Sequence, residues 1–155
     1  MGLGDWLTMF QKTVSTRHLG ERIKDDLKKQ FQHRELTMDQ IANREAIESN
    51  FIPDLVIRHG DRVAVIQVKT GDPSLPLPSS ANSQMLIIKE QAARKLANAE
   101  IVPVIITNYK IDEADRTELA DSGIEILSVN GTAYDSKLLS GKLKEVVEGQ
   151  TTVSH

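Results

Sequence analysis

Apolar residues recur at helical spacing in the first third of the chain. They form a stripe in which each member follows the previous one by four residues: Leu19, Ile23, Leu27 and Phe31. Residues four apart lie on the same face of a helix, so this stripe predicts a helix over 15–32. The run Thr37-Met-Asp-Gln that follows resembles a helix cap and predicts a shorter helix ending near Ile47.

Further along, the pattern changes to short runs that are rich in Val and Ile. The runs 55–58 and 62–69 are separated by His59-Gly60-Asp61, and Gly-Asp between two apolar runs is typical of a β-hairpin. Two later runs, 101–107 and 124–129, are bounded by turn-forming residues and predict buried strands. The sequence therefore predicts four strands, of which the first two pair as a hairpin.

Polar and amphipathic segments separate these strands. Helices are predicted over 83–99, 111–122 and 136–148, and the loop 71–82 before the first of them holds three of the five prolines. The order of elements is helix, hairpin, helix, strand, helix, strand, helix. This order predicts an α/β domain with a mixed β-sheet that is covered by helices on both faces.

Length and composition limit the class of protein. The chain has 155 residues, of which 39% are hydrophobic and 26% charged, so we expect one globular domain. We assign this domain to 15–148, with an N-terminal segment at 1–14 that could form an interface helix and a frayed tail at 149–155. No apolar run is long enough to span a bilayer, and we expect a cytoplasmic protein. The absence of cysteine excludes disulfides, thiolate metal sites and thiol nucleophiles.

The charge is unevenly distributed. The net charge of −3 argues against a protein that coats DNA without regard to sequence. Residues 1–100 are nearly balanced, with 14 Lys and Arg against 13 Asp and Glu, whereas residues 101–155 carry 5 against 9. The first two thirds of the chain can therefore still present a locally basic surface.

The hairpin carries the polar side chains that suggest chemistry. A two-residue loop at Gly60-Asp61 would place Asp54 opposite Gln67 and on the same face as Lys69. A carboxylate, an amide oxygen and an ammonium would then meet at one end of a sheet that is otherwise apolar. Burying a carboxylate without a partner is costly, so we expect either Lys69 or a hydrated divalent cation beside Asp54.

Oxygen ligands are the ones that Mg²⁺ prefers, commonly one or two carboxylates together with phosphate oxygens. Asp54, the side-chain oxygen of Gln67 and the carbonyl of Val68 are therefore candidate ligands of Mg²⁺ or Mn²⁺. Lys69 could orient a water molecule or offset the charge that develops on a phosphate. The alternative from the residues alone is a structural ion pair between Asp54 and Lys69 in an unrelated α/β domain.

Pro53-Asp54, twelve residues of apolar hairpin and then Gln67-Val68-Lys69 resemble the motif of the PD-(D/E)XK nuclease superfamily. The spacing resembles that of archaeal Holliday junction resolvases, and the Gln variant resembles Mrr-type restriction endonucleases. The runs VPVIITN and GIEILSVNG in the second half resemble the end of an Mrr-type catalytic domain. The resemblance covers roughly residues 15–140.

This resemblance implies a restriction-endonuclease-like fold and metal-dependent hydrolysis of DNA phosphodiester bonds. It implies that Asp54 and Gln67 ligate Mg²⁺ or Mn²⁺ and that Lys69 is catalytic. The family usually adds a glutamate from the first helix, and Glu21 is the candidate here. A helical wheel turns Glu21 towards solvent and places Asp26 nearer the edge of the apolar stripe.

Three further residues are candidate contacts to nucleic acid. Gln91 and Lys95 lie on one line of the predicted helix 83–99, together with Gln84, and Arg58 shares the face of the motif. Relatives often carry a helical Gln or Lys after the motif that shapes the active site, and we choose Gln91 for that role. The alternative is an ordinary amphipathic surface helix.

The expected partner is DNA, either duplex or branched, and the resemblance also implies a homodimer. Nothing in the sequence recognises base edges, so a separate partner could select the target. Gln67 in place of an acidic residue supports a second hypothesis, a non-catalytic nuclease-fold module that binds nucleic acid or a protein.

Overall fold

The computed structural model describes residues 18–42, 52–130 and 134–149. The predicted segment 1–14 and the tail after Gly149 lie outside the described residues. The elements, in chain order, are α1 (18–30), α2 (Met38–Ile41), β1 (Leu55–His59), β2 (Arg62–Lys69), α3 (Ser80–Lys95), β3 (Glu100–Thr107), α4 (Glu113–Asp121), β4 (Glu125–Ser128) and α5 (Ser136–Glu148). None of the described helices is long and apolar enough to cross a membrane.

The four strands form one mixed sheet in the order β1-β2-β3-β4. β1 and β2 are antiparallel, whereas β2, β3 and β4 are parallel to one another. Gly60 forms the hairpin turn with a φ of 61°, a left-handed conformation that favours glycine. His59 pairs with Arg62 and Ile57 with Ala64, so the register predicted from the two-residue loop is confirmed.

Helices cover both faces of this sheet, as the alternation of elements predicted. One core layer packs α1 and α5 against one face of the sheet. The other packs α2, α3 and α4 against the opposite face. The apolar stripe of α1 is fully buried in the first layer: Leu19, Ile23, Leu27 and Phe31. The sheet side chains alternate between the layers, with Ile66 in the first and Val65 in the second.

Two of the predicted helices differ from the structure at their ends. The second helix ends at Ile41, because the backbone of Ala42 is already extended, and the remainder of the helix predicted to Ile47 lies outside the described residues. The helix after the hairpin spans Ser80–Lys95 instead of 83–99. It begins one turn earlier because Ala81 is buried against the core, and it ends where Leu96 leaves the helical conformation.

The proline-containing loop between β2 and α3 is fixed to the chain that follows β3. The Asn108 side chain accepts a hydrogen bond from the Gly71 amide and donates one to the Gly71 carbonyl, each of 2.9 Å. Leu77 donates to the carbonyl of Lys110 at 3.0 Å, and the Lys110 amide donates back to Leu75 at 2.9 Å. These bonds fix the path of the chain immediately after Lys69.

Gly71 is needed for this close approach, which a pair of glycine substitutions can test. A Cβ atom at position 71 would overlap the Tyr109 hydroxyl, so Gly71→Ala should lower the free energy of unfolding by about 1–3 kcal/mol. Gly141 lies in α5 with no atom near the position of a Cβ, so Gly141→Ala should raise it by about 0.5–1 kcal/mol. Urea denaturation of both variants measures the difference. A Gly71→Ala protein as stable as the wild type would show that the Tyr109 ring is not fixed.

Candidate active site

The predicted motif residues lie at one end of the sheet, where β1 begins and β2 and β3 end. Asp54 occupies a bend one residue before β1, and Lys69 is the last residue of β2. Lys69 pairs with Thr107 in the parallel register, so the carboxyl ends of β2 and β3 lie side by side. α1 approaches this end from one face of the sheet and α3 from the other.

The carboxylate of Asp54 is held by the backbone of β2. Its Oδ2 atom accepts a hydrogen bond of 2.7 Å from the Val68 amide. The Asp54 amide donates to the Ile66 carbonyl at 2.9 Å, so backbone and side chain both bind the same strand. Asp54 thus lies just before β1, and its carboxylate takes the place of a strand carbonyl as the acceptor for the Val68 amide. The other oxygen, Oδ1, faces α1.

On α1, the ammonium of Lys24 lies between two carboxylates. Its Nζ atom is 2.7 Å from Oε1 of Glu21 and 3.9 Å from Oδ1 of Asp54. The hydrogen bond from Lys24, together with its charge, lowers the pKa of the Glu21 carboxyl below its ordinary value. The same bond raises the pKa of Lys24, with a further contribution from the charge of Asp54 and an opposing one from burial. Glu21 is 66% exposed, as the helical wheel predicted, yet it shares a cation with Asp54.

Gly20 allows α1 to come this close to the end of β2. A Cβ atom at position 20 would lie 2.7 Å from the Thr70 hydroxyl oxygen and 3.8 Å from a methyl group of Val68. Only a residue without a side chain fits this separation without a shift. The close contact therefore positions Glu21 and Lys24 beside Asp54.

Val68 and Gln67 carry the two further oxygen atoms that were predicted from the sequence as candidate ligands. In a β-strand, the amide and the carbonyl of one residue point towards the same neighbouring strand. The Val68 amide points to Asp54, so the Val68 carbonyl points to the β1 side as well. The Gln67 side chain donates to the Ile52 carbonyl at 2.9 Å, which places it against the segment that carries Asp54. That bond uses the amide nitrogen and leaves the amide oxygen of Gln67 as a possible ligand.

The prediction that Asp54 and Lys69 share one face of the sheet is wrong: the Asp54 carboxylate faces α1, whereas Lys69 extends to the other face, where it contacts α3. Its ammonium donates a hydrogen bond of 3.0 Å to the side-chain oxygen of Gln84. In the described part of the chain, the ion pair of Asp54 is with Lys24, so the alternative of a structural Asp54–Lys69 pair is wrong. The helical glutamine at the motif is Gln84, whereas Gln91 lies seven residues, or about 10 Å, further along α3.

Two of the other predicted residues lie away from this end of the sheet, and a third, Asp26, contacts another element. Arg58 is four residues along β1 from Asp54, about 13 Å, and its side chain donates to the Gly60 carbonyl in the hairpin turn. Lys95 is exposed at the last turn of α3, about 16 Å from Gln84 along the helix axis. Asp26 accepts a hydrogen bond from the Tyr134 hydroxyl and so contacts the segment before α5.

The oxygen atoms at this end have the chemistry of a site for a hard divalent cation. Asp54 and Glu21 supply carboxylates, and Val68 and Gln67 supply neutral oxygens, a set that suits Mg²⁺ or Mn²⁺. The Lys24 ammonium lies between the two carboxylates. Among the described residues, however, no three His, Cys, Asp or Glu side chains lie together as a metal-binding group. A divalent cation at this end of the sheet would therefore have to keep part of its water shell.

Sequence reasoning missed Lys24 and Asn108. Lys24 stands three residues after Glu21, a spacing at which helical ion pairs form, but the sequence does not show that the pair faces Asp54. Asn108 follows a buried strand directly, and a 96% buried amide requires hydrogen-bond partners, which Gly71 supplies.

The bond between Asp54 and Val68 leads to a prediction about stability. Asp54→Ala should lower the free energy of unfolding by about 1–3 kcal/mol, because it leaves the part-buried Val68 amide without an acceptor. Asp54→Asn keeps an oxygen at the same position and should cost less than half as much. Urea denaturation of the two variants gives the comparison. Equal losses in both would show that the charge of Asp54, rather than its hydrogen bond, stabilises this end of the sheet.

Comparison with known proteins identifies no relative of this chain. The sequence matches no protein-family model, and no curated protein and no solved structure matches the chain. The argument for a function therefore rests on the residues and geometry of this end of the sheet.

Proposed function

We propose that the protein is a metal-dependent endonuclease that hydrolyses DNA phosphodiester bonds, with a restriction-endonuclease-like fold of the PD-(D/E)XK type. The observation that carries this proposal is the arrangement around Val68. The Val68 amide binds the Asp54 carboxylate, and the next residue along β2 is Lys69, the ammonium at the end of the motif. The mixed sheet with helices on both faces is compatible with this fold.

Asp54, the Val68 carbonyl and Glu21 would hold the divalent cation, with the Gln67 amide oxygen as a further ligand. When bound, Mg²⁺ or Mn²⁺ would supply Lewis-acid polarisation of a phosphate and activation of water. Asp54 is suited to this task because β2 fixes one of its oxygens and leaves the other directed towards α1. A carboxylate that is already oriented loses little conformational freedom when it takes up a ligand.

Lys69 would stabilise the negative charge that develops on the phosphate during hydrolysis. Lys69 is half-buried, and its ammonium is held by the Gln84 oxygen, a neutral acceptor that does not itself offset the positive charge. Donors that are fixed in place before the reaction stabilise a transition state more than mobile ones do. Asn108 supports this arrangement because its two bonds to Gly71 fix the chain two residues after Lys69.

A non-catalytic nuclease-fold module that binds nucleic acid or a protein is the second candidate. The observation that favours it is the neutral Gln67, whose amide nitrogen is engaged by the Ile52 carbonyl. An amide at position 67 carries no charge, so the site attracts a cation less strongly than a site with Asp or Glu at that position. Such a module would bind DNA equally well with and without a chelator.

A cleavage assay separates the two candidates. The substrates are supercoiled plasmid, linear duplex, single-stranded DNA and a four-way junction. In the presence of Mg²⁺ or Mn²⁺, we expect the protein to cut at least one of them. Lys69→Ala should reduce the rate about 100-fold or more, the effect of removing one fixed charge-stabilising donor. Lys144→Ala removes the same charge from the exposed surface of α5, away from the motif, and should change the rate less than twofold.

The result that would contradict the nuclease proposal is a folded wild-type protein that cuts none of the four substrates with either metal. Equal loss of cutting in Lys69→Ala and Lys144→Ala would also contradict it, because the activity would then follow net charge rather than the motif. DNA binding without cutting would favour the non-catalytic module.

A further inference from the structure

The Lys24 ammonium lies between two of the candidate metal ligands, Glu21 and Asp54. Its nitrogen lies 2.7 Å from a Glu21 oxygen and 3.9 Å from the Asp54 oxygen that is not bound to Val68. The two carboxylates belong to different elements, α1 and the bend before β1. A single ammonium therefore links the helix to the strand end.

The contact differs from an ordinary surface ion pair. The side chain of Lys24 is 25% exposed and that of Asp54 is 26% exposed, so both groups are largely withdrawn from water. The ion pair between Arg94 and Glu90 on α3 shows the usual case, with side chains 72% and 65% exposed and both partners on one helix. Charges that are partly withdrawn from water interact more strongly than exposed ones, which are screened.

We propose that Lys24 is a built-in competitor of the divalent cation, whose ammonium must leave Asp54 and Glu21 before the metal can bind. The inference rests on the proposed metal site. Without a metal, the Lys24 ammonium is the cation that contacts Glu21 and lies beside Asp54, where the close approach at Gly20 brings α1 to the end of β2. When a metal binds, the same two carboxylates exchange one cation for another, and the free energy of the lost ion pairs reduces the metal affinity.

The competition predicts that removing the charge of Lys24 tightens metal binding. Lys24→Met retains the length of the side chain and removes the ammonium, so it should bind Mn²⁺ about three- to tenfold more tightly than the wild type. Lys24→Arg retains the charge and should show no gain. Lys29→Met removes one charge from the exposed part of the same helix and should change the affinity less than twofold. Calorimetric titration with Mn²⁺, without any substrate, measures all four proteins.

The outcomes separate this inference from the nuclease proposal. A Lys24→Met protein that binds Mn²⁺ no more tightly than the wild type, or absence of binding in every variant, would overturn the competition. If Lys24→Met binds more tightly while no variant cuts DNA, the competition stands and the nuclease proposal fails. If Lys69-dependent cutting occurs while Lys24→Met has the wild-type affinity, the nuclease proposal stands and the competition is wrong.

Discussion

The hydrogen bond from the Val68 amide to the Asp54 carboxylate is the contact on which the candidate site depends. It forms where β2 continues beyond the beginning of β1, so an amide at the sheet edge would otherwise have no strand partner. The carboxylate supplies the missing acceptor, because leaving a buried or half-buried amide without a hydrogen-bond partner costs free energy. One interaction therefore satisfies the backbone of β2 and orients Asp54, with one oxygen on the Val68 amide and the other facing α1.

The surrounding elements support this contact from both faces of the sheet. Gly20 lets α1 approach the end of β2, and this approach brings Glu21 and Lys24 to the Asp54 oxygen that remains available. On the other face, Gln84 of α3 holds Lys69. The candidate metal ligands and the candidate catalytic ammonium thus approach from opposite sides of one strand. Substrate phosphate would have to lie across the end of β2 to reach both.

The sequence predicted the parts of this arrangement that depend on local rules. The hairpin register followed from alternating apolar residues and from Gly60-Asp61, because the turn length fixes which residues pair. The limits of α5 were also predicted correctly, and in the structure Asp135 caps its start and Gly149 its end. The positions of Lys24 and Gln84 could not be predicted, because they depend on how deeply α1 and α3 pack against the sheet. Arg58 was misplaced for a related reason, since a predicted position on the face of the motif does not bring it to the same end of the strand.

Anomalous X-ray diffraction from crystals grown with Mn²⁺ tests the central claim, a divalent-cation site built on Asp54, most directly. The account predicts one anomalous peak within coordination distance of the Asp54 oxygen that faces α1, with the Lys24 ammonium withdrawn from that oxygen. A peak elsewhere, or a structure in Mn²⁺ that retains Lys24 between Glu21 and Asp54, would contradict the account. It would leave Asp54 as a structural acceptor for the end of β2.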